Sequence, residues 1–340
     1  MGGSAFYDNF LTNTGCIGIS YIPVIPGTKQ AAGADTLYLG GVYMTLEMFL
    51  QHLSNGISLG SLYALIAIGY TMVYGILRLI NFAHGDIFMM AVYFAFFGVV
   101  TFGMQWYVSF IVAIALTGVL GITVETLAYR PIREAPRISI LISSIGASYL
   151  LENLAIVMFG GRPKTFPQIA MFTDMVQLGN VHIQLLTFMI PVVTVVLLIA
   201  LMYLINKTKS GMAMRAVSKD IETARIMGID VNRTISFTFG IGSLLAAVGG
   251  IMWGLKFPSI LPLMGVMPGI KCFIAAVIGG IGSIQGAVVG GFILGIGEIL
   301  LVAFLPELSG YRDAFAFILL IMILLFKPTG IMGEKISEKV

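Results

Sequence analysis

Asn81, His84 and Asp86 gather an amide, an imidazole and a carboxylate in the short run Leu79-Ile-Asn-Phe-Ala-His-Gly-Asp86, between two long apolar stretches. Gly85 lets the backbone there turn sharply or approach a neighbour closely. Irregular polar backbone at membrane depth survives only beside protein or water, so one reading is a broken helix lining a polar path through a bilayer. An ordinary turn with Asp86 as a helix cap accounts for the same residue types, and types alone do not separate the two.

Three further acids, Glu125, Glu152 and Glu298, lie inside apolar runs. Ionisable residues in such places suggest ion or proton sites. Glu125 and Glu152, however, sit away from the centres of their runs, where side chains can snorkel outward, and Glu298 has Tyr311 and Arg312 only a loop away. None forms a carboxylate pair or an Asp/His relay by spacing. The three histidines, His52, His84 and His182, are scattered, and no HExxH, CxxC or Gly-x-Ser-x-Gly occurs. No Gly-x-x-x-x-Gly-Lys-Ser/Thr occurs either, so neither intramembrane hydrolysis nor ATP hydrolysis is expected of this chain. The two cysteines, Cys16 and Cys272, provide no disulfide framework and no metal-ligand spacing.

The glycines form another pattern. In Gly279-Gly-Ile-Gly-Ser-Ile-Gln-Gly286 and its continuation, Gly282, Gly286 and Gly290 are spaced by four, as are Gly291 and Gly295. That spacing makes a smooth helix face for close packing. A part for the Gly282–Gln285 turn, with Ser283, in a translocation path stays open beside the packing reading.

Composition decides what must position these residues. With 58% hydrophobic and 10% charged residues and a mean hydropathy of +0.98, the chain is no ordinary soluble domain. Apolar runs of about 17–25 residues match helical spans; barrel strands would be about 10 residues and alternate in polarity. The expected fold is all-α: a polytopic helical membrane protein. Nine candidate spans run Asn55–Leu77, His84–Gly103, Tyr107–Tyr129, Ile138–Gly160, Gln184–Ile205, Ile235–Leu255, Gly265–Ile281, Ile284–Leu305 and Arg312–Phe326. Eight spans and one re-entrant segment fit almost as well. The second span opens on polar residues and the seventh is short.

Basic loops orient the chain. Six of the 19 Lys and Arg residues fall in Asn206–Thr234, and three arginines in Arg130–Arg137, so both loops are expected in the cytoplasm, with the lysine-bearing C-terminal tail. The pI of about 8.8 follows from such loops without a nucleic-acid partner. Residues 1–43, rich in Gly, Thr and Pro, read as a poorly structured extracytoplasmic extension or as an over-extended start with Met44 or Met48 the initiator. Residues 44–333 read as the membrane domain and 334–340 as a cytoplasmic tail. No cleavable signal peptide is recognised.

Within 206–234, Ser218 can cap a helix whose first turn carries Asp220 and Glu222. Val217, Ile221, Ala224 and Gly228 then make one small, apolar stripe. Gly228 can close the helix, and Asp230 or Asn232 can cap the next. Basic flanks also suit anionic headgroups. A stripe of Ala and Gly, without Phe, Trp or Leu, nevertheless anchors poorly in lipid and suits close contact with a cytoplasmic protein.

Five stretches then carry a resemblance: NGISLGSLYALIAIGYTMVYGILRLINFAHGD (55–86), AYRPIR (128–133), GMAMRAVSKDIETARIMGIDVNRTISFTFGIGSLLAAVGG (211–250), AAVIGGIGSIQGAVVGGFILGIGE (275–298) and KPTGIMG (327–333). Together they resemble the LivH-type permease subunit of branched-chain amino acid ABC importers over about Met44–Gly333; urea and short-amide permeases share the pattern. The resemblance implies a multi-pass protein of the cell inner membrane, needing no cofactor of its own. Its implied partners are a second, LivM-like permease subunit, two cytoplasmic ATPase subunits that bind the ATP, and a periplasmic binding protein. It implies that Arg215, Ala216, Asp220, Ala224 and Gly228 couple to the ATPase, and that Asn81, His84, Gly85 and Asp86 lie near the translocation path. An ion-coupled secondary transporter with a midplane site is the alternative of a different class.

Overall fold

The computed structural model describes residues 36–39, 42–178 and 181–333. Most of the expected extension (1–43) and all of the 334–340 tail lie outside these residues. A short hairpin, Thr36–Leu39 against Val42–Thr45, leads into α1 (Leu46–Leu77). The Thr45 side chain accepts from Met48 N to start that helix, and Arg78, in the left-handed region at φ 52°, ends it.

Two segments then form α2 (His84–Val100) and α3 (Trp106–Val124), the latter running on through a π turn at Glu125–Tyr129 and a 3₁₀ turn at Arg130–Ile132. Next come α4 (Arg137–Phe159) and α5 (Leu185–Lys207). The polar segment holds α6 (Lys209–Lys219) and α7 (Ile221–Ile226). The chain re-enters the apolar bundle as α8 (Val231–Lys256), α9 (Val266–Gly279), α10 (Ile284–Phe304) and α11 (Arg312–Phe326). The all-α polytopic reading holds.

Seven helices among the described residues are long and apolar enough to cross a membrane, α11 together with the 3₁₀ segment Pro306–Tyr311 that leads into it. The two expected spans that fall short are the second and the seventh. α2 has 17 residues and α9 has 14, so they rise only about 25 and 21 Å, against roughly 30 Å of hydrocarbon. The shortfall has a visible cause. His84, the first residue of α2, lies beside the Ile66 carbonyl of α1, and Leu77 lies roughly 16 Å further along that helix. The chain therefore leaves α1 at one end of the bundle and climbs back inside it before α2 begins. α9 likewise begins inside, with Gly265 and Gly269 against Gly85. Two half-length helices thus start from one interior level and run in opposite directions.

α1 is the axis of the bundle, buried almost without a break from Gly56 to Val73. The glycine spacing explains how its neighbours come so close. Gly291 and Gly295 of α10 lie on the backbone of Ala64 and Gly60 of α1, while Gly286 and Gly290 face Gly279 and Ala275 of α9. One helix packs on two partners through two glycine faces, as the packing reading expects. Gly282 stands apart in the turn before α10, at φ +96° with open space around it.

The two basic segments meet at one end of the bundle: Arg133 Nη1 donates to Asn232 Oδ1 at 2.6 Å. The C-terminal segment joins them, Ile331 N donating to the Ile278 carbonyl and Met332 N to the Gly279 carbonyl. At the opposite end Lys164–Thr165 pairs antiparallel with Ser259–Ile260, tying the α4–α5 connection to the entry of α9.

Candidate functional site

The polar residues of Leu79–Asp86 fold into the junction where the half-length helices meet. Asn81 Oδ1 accepts from the Tyr129 hydroxyl at 2.7 Å. His84 Nε2 lies 3.2 Å from the Ile66 carbonyl, and its ring packs on Tyr70, centroids 4.5 Å apart. Gly69 is the glycine that admits this imidazole, because a Cβ there would sit 2.6 Å from two ring atoms. Gly85 does the same service for α9: a Cβ would meet the Gly265 carbonyl at 2.6 Å. Asp86 Oδ2 accepts from the Ser148 hydroxyl of α4 at 2.5 Å.

The structure therefore brings Asn81, His84, Gly85 and Asp86 together, and it encloses them. Asn81, His84 and Asp86 are 1–2% exposed. Beside them, Tyr70, Thr71, Asn81, Phe273, Ala276 and Ile281 line a narrow cleft. Thr71 Oγ1 and Asn81 Nδ2 are buried there without a hydrogen-bond partner among the described residues. Ser283 plays a local part, accepting from Gly286 N at 3.1 Å as the N-cap of α10, and Gly282 makes the turn before it. These two residues do not touch the His84 cluster, although Ile281 reaches the same cleft.

The outward snorkelling expected of Glu125 and Glu152 does not occur, since both are buried. Glu125 is fully buried, accepting from Arg133 and Ser236 at 2.5 Å each. Burial pulls the Arg133 guanidinium below its ordinary value, and the Glu125 charge opposes that. Glu298 is also fully buried, but its ion partner is Lys271 of α9 at 2.9 Å, with Tyr63 donating at 3.0 Å. Lys271 also reaches Asp313 at 2.7 Å. An apolar helix bearing one lysine is the signal that points to such a pair, since a cation inside a span needs a counter-ion. Glu152 is 8% exposed and has no hydrogen-bond or ion-pair partner among the described residues. No cluster of three His, Cys, Asp or Glu suited to a metal ion occurs among the described residues.

The polar segment departs from the single helix expected after Ser218. The helix breaks at Asp220, whose Oδ1 accepts from Glu222 N and Thr223 N at 3.0 and 3.1 Å to cap α7. Asp is the better cap here because Ser218 spends its hydroxyl on the Arg215 carbonyl. Gly228, at φ +82°, closes α7, and Asp230 caps α8 through Arg233 N. The small apolar stripe faces inward. Val217 and Ala224 are 1% and 3% exposed and pack with Met214, Val231 and Ile235. Ala224 thus packs beneath the surface of the segment. What the segment presents outward is its tip: Arg215, Asp220 and Gly228 are exposed, Ala216 is half-buried, and Ile226 and Met227 are 85% and 76% exposed.

Residues 52–324 match the family model described as branched-chain amino acid transport system / permease component. The chain is 42% identical over 305 residues to the high-affinity branched-chain amino acid transport system permease protein LivH of Escherichia coli K12, covering 86% of this chain and 98% of that one. It is 40% identical over the same shares to the permease protein BraD of Pseudomonas aeruginosa. The probable branched-chain amino acid transport permease LivH of Methanocaldococcus jannaschii is 30% identical over 83% of this chain and 91% of its own. With the match running from α1 through most of α11, the chain belongs to the branched-chain amino acid transport system permease component family.

Proposed function

We propose that this protein is the membrane permease subunit of an ATP-driven importer that carries branched-chain, leucine-like amino acids. The observation that carries the reading is the 42% identity to LivH across nearly the whole of that protein. In this reading the end bearing 130–137, 206–234 and the C-terminal segment is cytoplasmic, as the basic loops require. The exposed tip Arg225–Gly228 docks on a separate ATPase subunit. A second, LivM-like permease subunit completes the core, and a periplasmic binding protein delivers substrate to the opposite end.

In this reading transport proceeds by alternating access. The short helices α2 and α9 meet inside the bundle at Gly85, Gly265 and Gly269, where their backbones lie in close contact. Movement of the docked tip, transmitted through its buried anchor, shifts this junction and with it the polar residues Asn81, His84, Gly85 and Asp86 near the path, while Gly282 and Ser283 form its cytoplasmic turn. A leucine-like solute needs a mostly apolar path with few polar groups.

The test is reconstitution of the complete complex in proteoliposomes with the loaded binding protein. Radiolabelled leucine uptake that requires ATP is the expected result. Uptake of urea alone would overturn the substrate assignment, and leucine uptake driven by an ion gradient without ATP would overturn the importer.

A further inference from the structure

α4 turns an unusual face away from the bundle. Gly146, Tyr149 and Asn153 follow one another at helical spacing and all are exposed, with nothing within 4 Å of a Cβ built on Gly146. Among the described residues, Asn153 donates its amide to the Tyr149 carbonyl, 2.7 Å away in its own helix. An amide and an open glycine on one face of a span are poor lipid contacts and mark a surface covered by protein or water.

Behind that face lies an acid with nothing to neutralise it. Glu125 has Arg133 and Glu298 has Lys271 as counter-ion, while Asp86 has a hydrogen bond from the Ser148 hydroxyl. Glu152, one helical turn beyond Ser148, has no partner among the described residues although it is more than nine-tenths enclosed. Ser148, one turn before it on the same helix, donates to Asp86 at 2.5 Å and so brings a second acid to this part of α4. An unpaired carboxylate inside a span is costly and is retained where a cation visits it.

We propose that the outward face of α4 is a wall of the substrate conduit, at the seam with the second permease subunit, and that Glu152, with Asp86 behind it, receives the α-ammonium of the passing amino acid. The inference rests on the importer reading above and adds to it the group that recognises a zwitterion. Exposed Ile142 and Leu150 flank the face and suit an aliphatic side chain. A single acid without a preformed cage suits transit, because a conduit must release what it binds.

Leucine uptake by the reconstituted complex, paired with the subunit composition of the purified complex, tests this. Glu152→Gln should lower uptake on the order of tenfold or more, the loss of one charge-assisted contact, with all subunits still co-purifying, and Glu152→Asp should keep most of it. Gly146→Leu, which meets open space in this chain, should also lower uptake by narrowing the conduit. Wild-type uptake by either E152Q or G146L overturns the proposal. Loss of the second permease subunit from the E152Q complex also overturns it, by making Glu152 a subunit contact. If the wild-type complex itself takes up no leucine, the importer reading fails first and takes this proposal with it.

Discussion

Lys271 shows how a single residue can hold a half-length helix in place. Its ammonium sits between Glu298 and Asp313, at 2.9 and 2.7 Å, and ties α9 to both α10 and α11. The two acids are not equivalent: Glu298 is fully enclosed, whereas the Asp313 side chain is 49% exposed. Breaking a buried pair by deleting one member strands the other, at about 3–5 kcal/mol. Lys271→Met should therefore lower stability by about that amount, because Glu298 loses its ion pair and, among the described residues, keeps one hydrogen bond, from the Tyr63 hydroxyl. Lys271→Met with Glu298→Gln should recover more than half of the loss, since no buried charge is then left alone. Thermal unfolding in detergent decides between this and a surface-type pair, for which both variants would lie within about 1 kcal/mol of wild type. Little of this network is legible in the chain. Glu298 stands out as an acid in an apolar run, but its nearest cation in sequence is Arg312, and the pairing with Lys271 depends on where α9 starts inside the bundle. Glu125 is similar: its distance from Arg133 is readable, yet its contact with Ser236 depends on how α3 crosses α8.

Among the elements, helix identity and packing face are the most legible features. Unbroken apolar runs leave the backbone no partner but itself, so the helices follow directly. The four-residue glycine spacing marks α10 as a close-packing helix, and the structure places both glycine faces against neighbours. The two weak spans, one opening on polar residues and one short, are the two half-length helices. Their meeting is not legible, because Gly85 and Gly265 are remote in sequence and only the fold brings them together. The direction of the 217–228 stripe is also hidden, since a small apolar stripe reads alike whether it meets its own core or another protein. The α1–α10 seam allows a sharp test. A Cβ on Gly295 would collide with the backbone of Gly60, which no side-chain rotation can relieve. Gly295→Leu should abolish the monodisperse folded protein. Gly161→Ala, whose nearest neighbour would be an ordinary contact at 3.9 Å, should leave the elution profile in size-exclusion chromatography unchanged. Equal profiles for both variants would refute the seam.

For the molecule as a whole, the issue is how an event at the exposed tip of the polar segment reaches the helix junction. One packed cluster supplies the continuity: Val217 and Ala224 at the base of the tip, Val231 and Tyr129 beyond them, and Ala83 and Ile87 at the start of α2 share it. Close-packed groups transmit displacement because they have no free volume in which to absorb it. Docking and transmission are then separable. Ile226→Asp alters a side chain that is 85% exposed and supports no internal packing, so it should abolish co-purification of the ATPase while leaving the melting temperature of the permease unchanged. Val217→Ala opens a small void under the tip without touching its surface. It should cost about 1–2 kcal/mol of stability and leave the ATPase bound, yet reduce leucine transported per ATP hydrolysed. Measuring subunit stoichiometry, ATP turnover and leucine uptake on the same reconstituted samples separates the two effects. If Val217→Ala transports at wild-type efficiency, the cluster is only scaffolding. If Ile226→Asp still binds the ATPase at full stoichiometry, the docking surface lies elsewhere on the segment, with Arg215 and Glu222 the next exposed residues to replace.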